Sequence, residues 1–395
     1  MAQVRIRKRG KTFSFIFEAG KVDGKRKVVE KGGFPTKDAA YKAGVEAYND
    51  YLHGNIGITS EKVTLREFIE SWLKNVASVN VRATTMQGYS SYAKKQILPT
   101  LGDYAVQDLT PAILDKWIRQ LQQRGYSKGM LNNTYAVLSQ VLDYAVYPAQ
   151  LINSNPAKYI KIPKNAPRNI VKRTIISPEQ FVALLEQFPF GTSYHMPLML
   201  MYYTGMRISE ALGLSWSDID FSAKRITLRR QLLQISKRGF FLSPLKTEAS
   251  NRYIIISDAL ISKLKRWRAE QFSNEAQRGD SYVCLYLEEG GHLIRQSKIF
   301  GAAGERVKLV CTHPNGQLLN KATLGVKLRE LGLNAHSFRH THATQLIQHG
   351  AAAKAVASRL GHANVLITQN LYTHNTLSLQ QEVAAIFDEF LQTKV

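Results

Sequence analysis

The chain has 395 residues, too many for one ordinary domain and enough for two or three. It is 44% hydrophobic and 21% charged, and it carries no apolar run of the length a transmembrane helix needs. The 53 Lys+Arg against 30 Asp+Glu leave a formal charge of +23, which points to a polyanionic partner, nucleic acid ahead of an anionic membrane surface.

The N-terminal MAQVRIRKRGK is basic but lacks the apolar core of a secretory signal. Residues 1–57 read as a small β-rich unit closed by a helix. VRIRKR alternates apolar and basic residues, with Arg5 and Arg7 on the basic face. TFSFIFE puts Phe13, Phe15 and Phe17 on one face. GKRKVVEK is a third strand after a turn at Val22-Asp23-Gly24, and KDAAYKAGVEAYNDYLHG is a helix ended by Gly54. The segment holds twelve Lys/Arg and six Asp/Glu, so one basic face of its sheet can lie in a DNA major groove.

Residues 58–163 read as four helices. TLREFIESWLKN opens on a capping box from Thr64 to Glu67. TTMQGYSSYAKKQILPTLG is expected to stop at Pro99 and Gly102. TPAILDKWIRQLQQRG starts at Thr110, and SKGMLNNTYAVLSQVLDYAVYPAQL is the fourth. No catalytic cluster stands out here, which suggests a binding module. Lys94, Lys95, Arg119, Arg124 and Lys128 are its candidate phosphate contacts. Residues 164–175, KNAPRNIVKRTI, hold four basic residues, a proline and no acid, and read as a basic linker. A third domain, 176–395, opens on Ser177-Pro178 as N-cap and first helical residue.

Four stretches of the third domain carry chemistry. In YYTGMRISEALGL, Gly205 breaks a helix and Arg207 begins another, with Glu210 placed three residues on to hold its charge. FFLSPLKTEASNRYIII reads as a strand, a tight turn over Thr247–Asn251 and a returning strand, a hairpin with Lys246 near its tip. AHSFRHTHATQL sets His336 and Arg339 on one helical face. A metal site is disfavoured there, because no glutamate follows the first histidine and no third ligand lies nearby. ASRLGHANVLITQNLYTH places His362 just past a helix-ending Gly361 and Tyr372 ten residues on. Cys284 and Cys311 have neither metal nor redox spacing, which suits a reducing cytoplasm.

Taken in order, Arg207, Lys246, His336, Arg339, His362 and Tyr372 resemble the tyrosine recombinase, or phage integrase, family, whose pattern is Arg … Lys … His-x-x-Arg … His/Trp … Tyr. The pieces TGMRISEALGL, LKTE, HSFRHTHAT and LGHANVLITQNLY carry the resemblance over roughly 175–395, most like the integrases of conjugative transposons. It implies a multidomain α+β protein: an arm-binding sheet domain, a helical core-binding domain, and a mainly helical catalytic domain with a small sheet. It implies site-specific strand exchange on double-stranded DNA through a covalent 3′-phosphotyrosine, with no metal, ATP or other cofactor. Tyr372 would be the nucleophile, Arg207 and Arg339 the phosphate clamp, His336 the base, Lys246 the acid and His362 a phosphate hydrogen-bond donor, with Glu210 in support. It further implies a homotetramer on DNA, an accessory DNA-bending or excision factor, and a bacterial cytoplasmic, nucleoid-associated location. A stripe of Leu379, Val383, Ile386, Phe387, Phe390 and Leu391 suits packing on a neighbouring subunit or on the chain's own core. The competing expectation is a catalytically silent DNA-binding protein on the same scaffold.

Overall fold

The computed structural model describes residues 4–22, 25–52, 62–167, 174–236, 238–245, 250–298, 300 and 304–362. The chain divides into two compact units, Met1–Ile170 and Val171–Val395. Among the described residues no helix is long and apolar enough to cross a membrane.

The first unit begins with an antiparallel meander of β1 (Arg5–Arg9), β2 (Thr12–Val22) and β3 (Lys25–Phe34), followed by α1 (Lys37–Leu52). Ile6 stands opposite Phe15, and Phe15 and Phe17 are each 2% exposed. Phe15 and Phe17 thus line the buried face the sequence marks, whereas Phe13, across a register shift from Phe15, is only partly buried and Ser14 is buried in between; Arg5, Arg7 and Arg9 stay exposed on β1. The helix presses close to this sheet at Gly44. A Cβ there would sit 2.6 Å from Val4 Cγ1 and 2.8 Å from Phe15 Cβ.

The helical part holds α2 (Leu65–Trp72), α3 (Ser78–Asn80), α4 (Ala83–Tyr92), α5 (Leu98–Leu101), α6 (Pro111–Gln123) and α7 (Lys128–Val146). Thr64 and Glu67 form the expected capping box, and Thr110 and Ser127 cap α6 and α7. Pro99 does not end a helix as expected. A wide π turn, Ala93–Ile97, joins α4 to α5 and places Pro99 in the first turn of α5, where its missing N–H leaves no broken ladder. The Gln96 carbonyl in that turn accepts the buried Trp117 indole N–H at 3.0 Å. The stretch expected as linker starts packed, not free: Ala166 is buried, and the Pro167 carbonyl accepts from the Lys128 amide at 2.8 Å.

The second unit contains α8 (Pro178–Gln187), α9 (His195–Thr204), α10 (Ile208–Leu212), β4 (Ile219–Asp220), β5 (Arg225–Leu228), β6 (Arg230–Ile235), β7 (Gly239–Pro244) and β8 (Arg252–Ile255). It continues with α11 (Asp258–Arg278), β9 (Val283–Leu287), β10 (Leu293–Ser297), β11 (Glu305–Arg306), α12 (Lys321–Glu330), α13 (Ala335–Gln348) and α14 (Ala353–Leu360). One large apolar core includes Phe181, Leu198, Leu212, Ile226, Trp267 and Phe338. The hairpin expected from FFLSPLKTEASNRYIII does not form. β7 pairs with β6, Leu232 opposite Leu242, and β8 pairs with β5, Ile226 opposite Ile254. The two strands flanking Lys246 therefore belong to different sheets.

Gly44 sets two effects against each other. Alanine is better than glycine inside a helix by about 1 kcal/mol. Overpacking against Phe15 Cβ, which cannot swing away as a side-chain tip can, costs about 1–3 kcal/mol. Gly44→Ala is therefore expected to be net destabilising to the N-terminal sheet. Hydrogen exchange of the Phe15 and Phe17 amides should accelerate while that of α6 and α7 is unchanged.

Candidate active site

Gly205 is where the site begins. It ends α9 with φ +67°, a left-handed conformation that glycine adopts without strain. A Cβ at this position would meet Leu360 Cδ2 at 2.6 Å and His342 Cδ2 at 2.8 Å. This close approach brings α9, α13 and α14 together. Two residues later Arg207 occupies the N-cap of α10 with extended backbone.

Glu210, 2% exposed, receives two bonds from Arg207: its backbone N–H at 2.9 Å and Nη1 at 2.7 Å. It also receives Nη1 and Nη2 of Arg252 at 3.3 and 2.9 Å. Burial alone would push this carboxyl up, but the two guanidiniums and the Arg207 amide hold it below the ordinary carboxylate value. Arg252 is nearly buried, whereas the Arg207 side chain remains 37% exposed.

On α13, capped by Asn334, Arg339 is buried. Its Nη1 donates to the Gly205 carbonyl at 3.0 Å and its Nη2 to the Leu360 carbonyl at 2.5 Å. Burial and the neighbouring Arg207 lower its pKa to about 9, so it stays cationic at neutral pH. His336, three residues earlier and at the surface, has its pKa lowered by partial enclosure and by the charges of Arg339 and Arg207. His362 follows Gly361, the left-handed end of α14, and is lowered to about 4 by burial and then by Arg339, Arg207 and Arg252.

The described cluster thus contains three guanidiniums, one carboxylate and two neutral imidazoles. Its net charge of about +2 is suited to an oxyanion. The structure brings Arg207, Glu210, His336, Arg339 and His362 together. Lys246, Tyr372 and the apolar stripe from Leu379 to Leu391 lie outside the described residues. Among the described residues no group of three His, Cys, Asp or Glu is placed to hold a metal ion.

Sequence reasoning missed Arg252 in this cluster, and behind the cluster it missed a supporting pair, Arg359 with His342: Arg359 Nε donates to His342 Nε2 at 3.1 Å and its Nη1 to the Ile255 carbonyl at 3.0 Å. An arginine N–H can only donate, so His342 carries its proton on Nδ1, facing the Tyr202 carbonyl at 3.1 Å. Burial and Arg359 lower its pKa to about 4.

In the first unit, Arg5, Arg7, Lys94, Lys95 and Arg124 are exposed. Arg119 is already paired with Asp115 at 2.7 Å. Lys128 lines an open depression of about 590 Å³ with Tyr92, Asn132 and Asn133.

A left-handed glycine thus sets a buried arginine near an exposed one, with histidines close by. Residues 177–378 match the phage integrase family, 64–122 the phage integrase N-terminal SAM-like domain, and 3–47 an arm DNA-binding domain. The chain belongs to the phage integrase family and is a tyrosine recombinase, an enzyme that breaks and rejoins DNA at specific sites. It is 26% identical to a XerC-like tyrosine recombinase of Caldanaerobacter subterraneus subsp. tengcongensis, covering 88% of each chain. It is 23% identical to the transposase of transposon Tn916 of Enterococcus faecalis, over 82% of this chain and 77% of that one. Its fold resembles the Tn1549 transposon integrase solved with a circular intermediate DNA: TM-score 0.63, 19% identity, 82% of this chain and 99% of the other. A lambda integrase tetramer bound to a Holliday junction matches at TM-score 0.53 and 16% identity, over 93% of this chain and 94% of the other.

Holding His342 neutral has a consequence for stability. The unfolded imidazole titrates near 6.5 and the folded one near 4, so the unfolded chain binds more protons between these values. The stability this supplies is fully present above 6.5 and is lost as pH falls toward 4. A shift of this size corresponds to about 3–4 kcal/mol. Thermal unfolding of the full chain should show that acid loss, and His342→Gln should reduce its slope. An unchanged slope would mean the ring is not held neutral.

Proposed function

We propose that the Arg207–Glu210–Arg339 cluster grips the scissile phosphate of a core site in duplex DNA and that Tyr372 attacks it. The observation that carries this reading is the pairing of a half-exposed Arg207 with a cationic, buried Arg339 beside a neutral His336. Arginine forks match the non-bridging oxygens of a phosphodiester, and fixed cations stabilise the charge that builds on them as the bond breaks.

In this scheme the Tyr372 oxygen bonds to phosphorus and the phosphorus–O5′ bond breaks. His336, kept neutral by its partial burial and then by the cations around it, accepts the phenolic proton, and Lys246 supplies a proton to the departing 5′-oxygen. His362, neutral as well, donates a hydrogen bond to the phosphate. The product is a 3′-phosphotyrosine and a free 5′-hydroxyl. A 5′-hydroxyl from a partner duplex reverses the same step on a new strand, so the bond energy is conserved without ATP.

The wider assembly follows the relatives. A lambda integrase tetramer is recorded bound to a Holliday junction, and a homotetramer passing through such a junction is proposed for this chain. Strand exchange for a mobile element, of the kind named in the Tn916 and Tn1549 proteins, suits the arm, core-binding and catalytic organisation proposed here: 1–57, 58–163 and 176–395, joined by 164–175. Arg5 and Arg7 on β1 would contact arm sites. Lys94, Lys95, Arg124 and Lys128 would contact the core duplex, and Arg119 would do so by exchanging Asp115 for phosphate. An accessory DNA-bending or excision factor would set direction, and the work would be done in the bacterial cytoplasm, at the nucleoid.

The test is covalent trapping. A nicked duplex carrying a core site, recovered from random DNA by selection for binding, is mixed with the protein in EDTA. Wild type should give an adduct that survives denaturation, and Tyr372→Phe should give none. An adduct from both would place the nucleophile on another of the 18 tyrosines. No adduct on DNA that binds would leave a silent DNA-binding protein. Binding itself should weaken steeply with salt, by about 10³-fold or more between 50 and 200 mM if six or more phosphates are neutralised. A flat response would remove the phosphate contacts from the scheme.

A further inference from the structure

Glu210 poses an electrostatic problem for the reading above. It lies 2.7 Å from Arg207 and is almost wholly buried, so on its own it would cancel most of the charge that Arg207 can offer a phosphate. A one-to-one Arg207–Glu210 pair is neutral.

We infer that Arg252 is a positioning residue for strand cleavage: it neutralises Glu210 so that Arg207 keeps its charge for the phosphate. The inference rests on the phosphate-binding reading of the site. With Arg252 present, the three groups sum to one positive charge, and the exposed member of the three is Arg207. Arg252 is 6% exposed and turned inward. Its Nη1 and Nη2 meet the two oxygens of Glu210, Nη1 also donates to the Ser250 carbonyl at 3.1 Å, and Nε donates to the Arg359 carbonyl at 2.7 Å. With those donors engaged, it acts through Glu210 and does not touch DNA.

The same bonds fix geometry. The Arg359 carbonyl is one residue from the Leu360 carbonyl that anchors Arg339. Arg252 therefore joins the first turn of α10, which presents Arg207, to the end of α14, which holds Arg339 and precedes His362. It opens β8, six residues after Lys246. Lysine cannot replace this arrangement fully, because only a planar fork spans both carboxylate oxygens while donating elsewhere.

The test compares wild type, Arg252→Gln, Arg252→Lys and the double variant Glu210→Gln/Arg252→Gln on a nicked core-site duplex. Each is measured for DNA affinity and for the single-turnover rate of covalent adduct formation on bound DNA. Arg252→Gln should bind within about twofold of wild type, since the residue touches no DNA, yet form adduct about 100-fold more slowly. Arg252→Lys should recover about tenfold of that loss by restoring the charge. The double variant should also be about tenfold faster than Arg252→Gln, because the carboxylate left uncompensated has gone. A purely structural role predicts the opposite, a double variant no better than the single one. That result, or an unimpaired Arg252→Gln, overturns the inference while the phosphate reading stands. Absence of adduct from wild type overturns the phosphate reading and the inference with it.

Discussion

A carboxylate buried between two guanidiniums organises the catalytic unit. Removing Glu210 from water is costly unless every lone pair is met, and here two arginines and a backbone amide meet them. That requirement dictates where β8, α10 and α14 can sit. The strand must deliver Arg252 to the carboxylate, the short helix must start at Arg207, and the end of α14 must offer a carbonyl to Arg252. In the proposed scheme the phosphate site is thereby assembled around an anion of the protein's own.

The surrounding fold serves this arrangement by exploiting chain breaks. Helix α9 ends at a left-handed glycine and α14 at another, and both ends turn main-chain carbonyls inward. Arg339 takes one carbonyl from each. His342 and Leu360 fill the space that the absent Cβ of Gly205 leaves, and the His342–Arg359 pair ties α13 to β8 through the Ile255 carbonyl. In the N-terminal unit a π turn plays a comparable part, carrying a helix past Pro99 and freeing a carbonyl for Trp117.

Much of this was legible in the sequence, for local reasons. Arg207 and Glu210 are three residues apart, as are His336 and Arg339, and capping boxes are short-range patterns. The burial of Phe15 and Phe17 follows from alternation. What was not legible depends on partners distant in the chain. Arg252 finds Glu210 across 42 positions, and nothing near Arg252 announces a buried partner. The strands on either side of Lys246 look like a hairpin because alternation records which face is buried and not which strand lies alongside. Pro99 read as a stop because the rule assumes an α turn, and a π turn has a different carbonyl spacing.

The anchoring of Arg339 on two main-chain oxygens carries an evolutionary consequence. A side-chain partner can be lost by a single codon change, whereas a carbonyl is present whatever residue supplies it. The anchor therefore depends on the path of the backbone, and most on the glycine that permits it. A clamp built this way can survive divergence to the 16–26% identities that separate this chain from its relatives, while the fold that aims it endures.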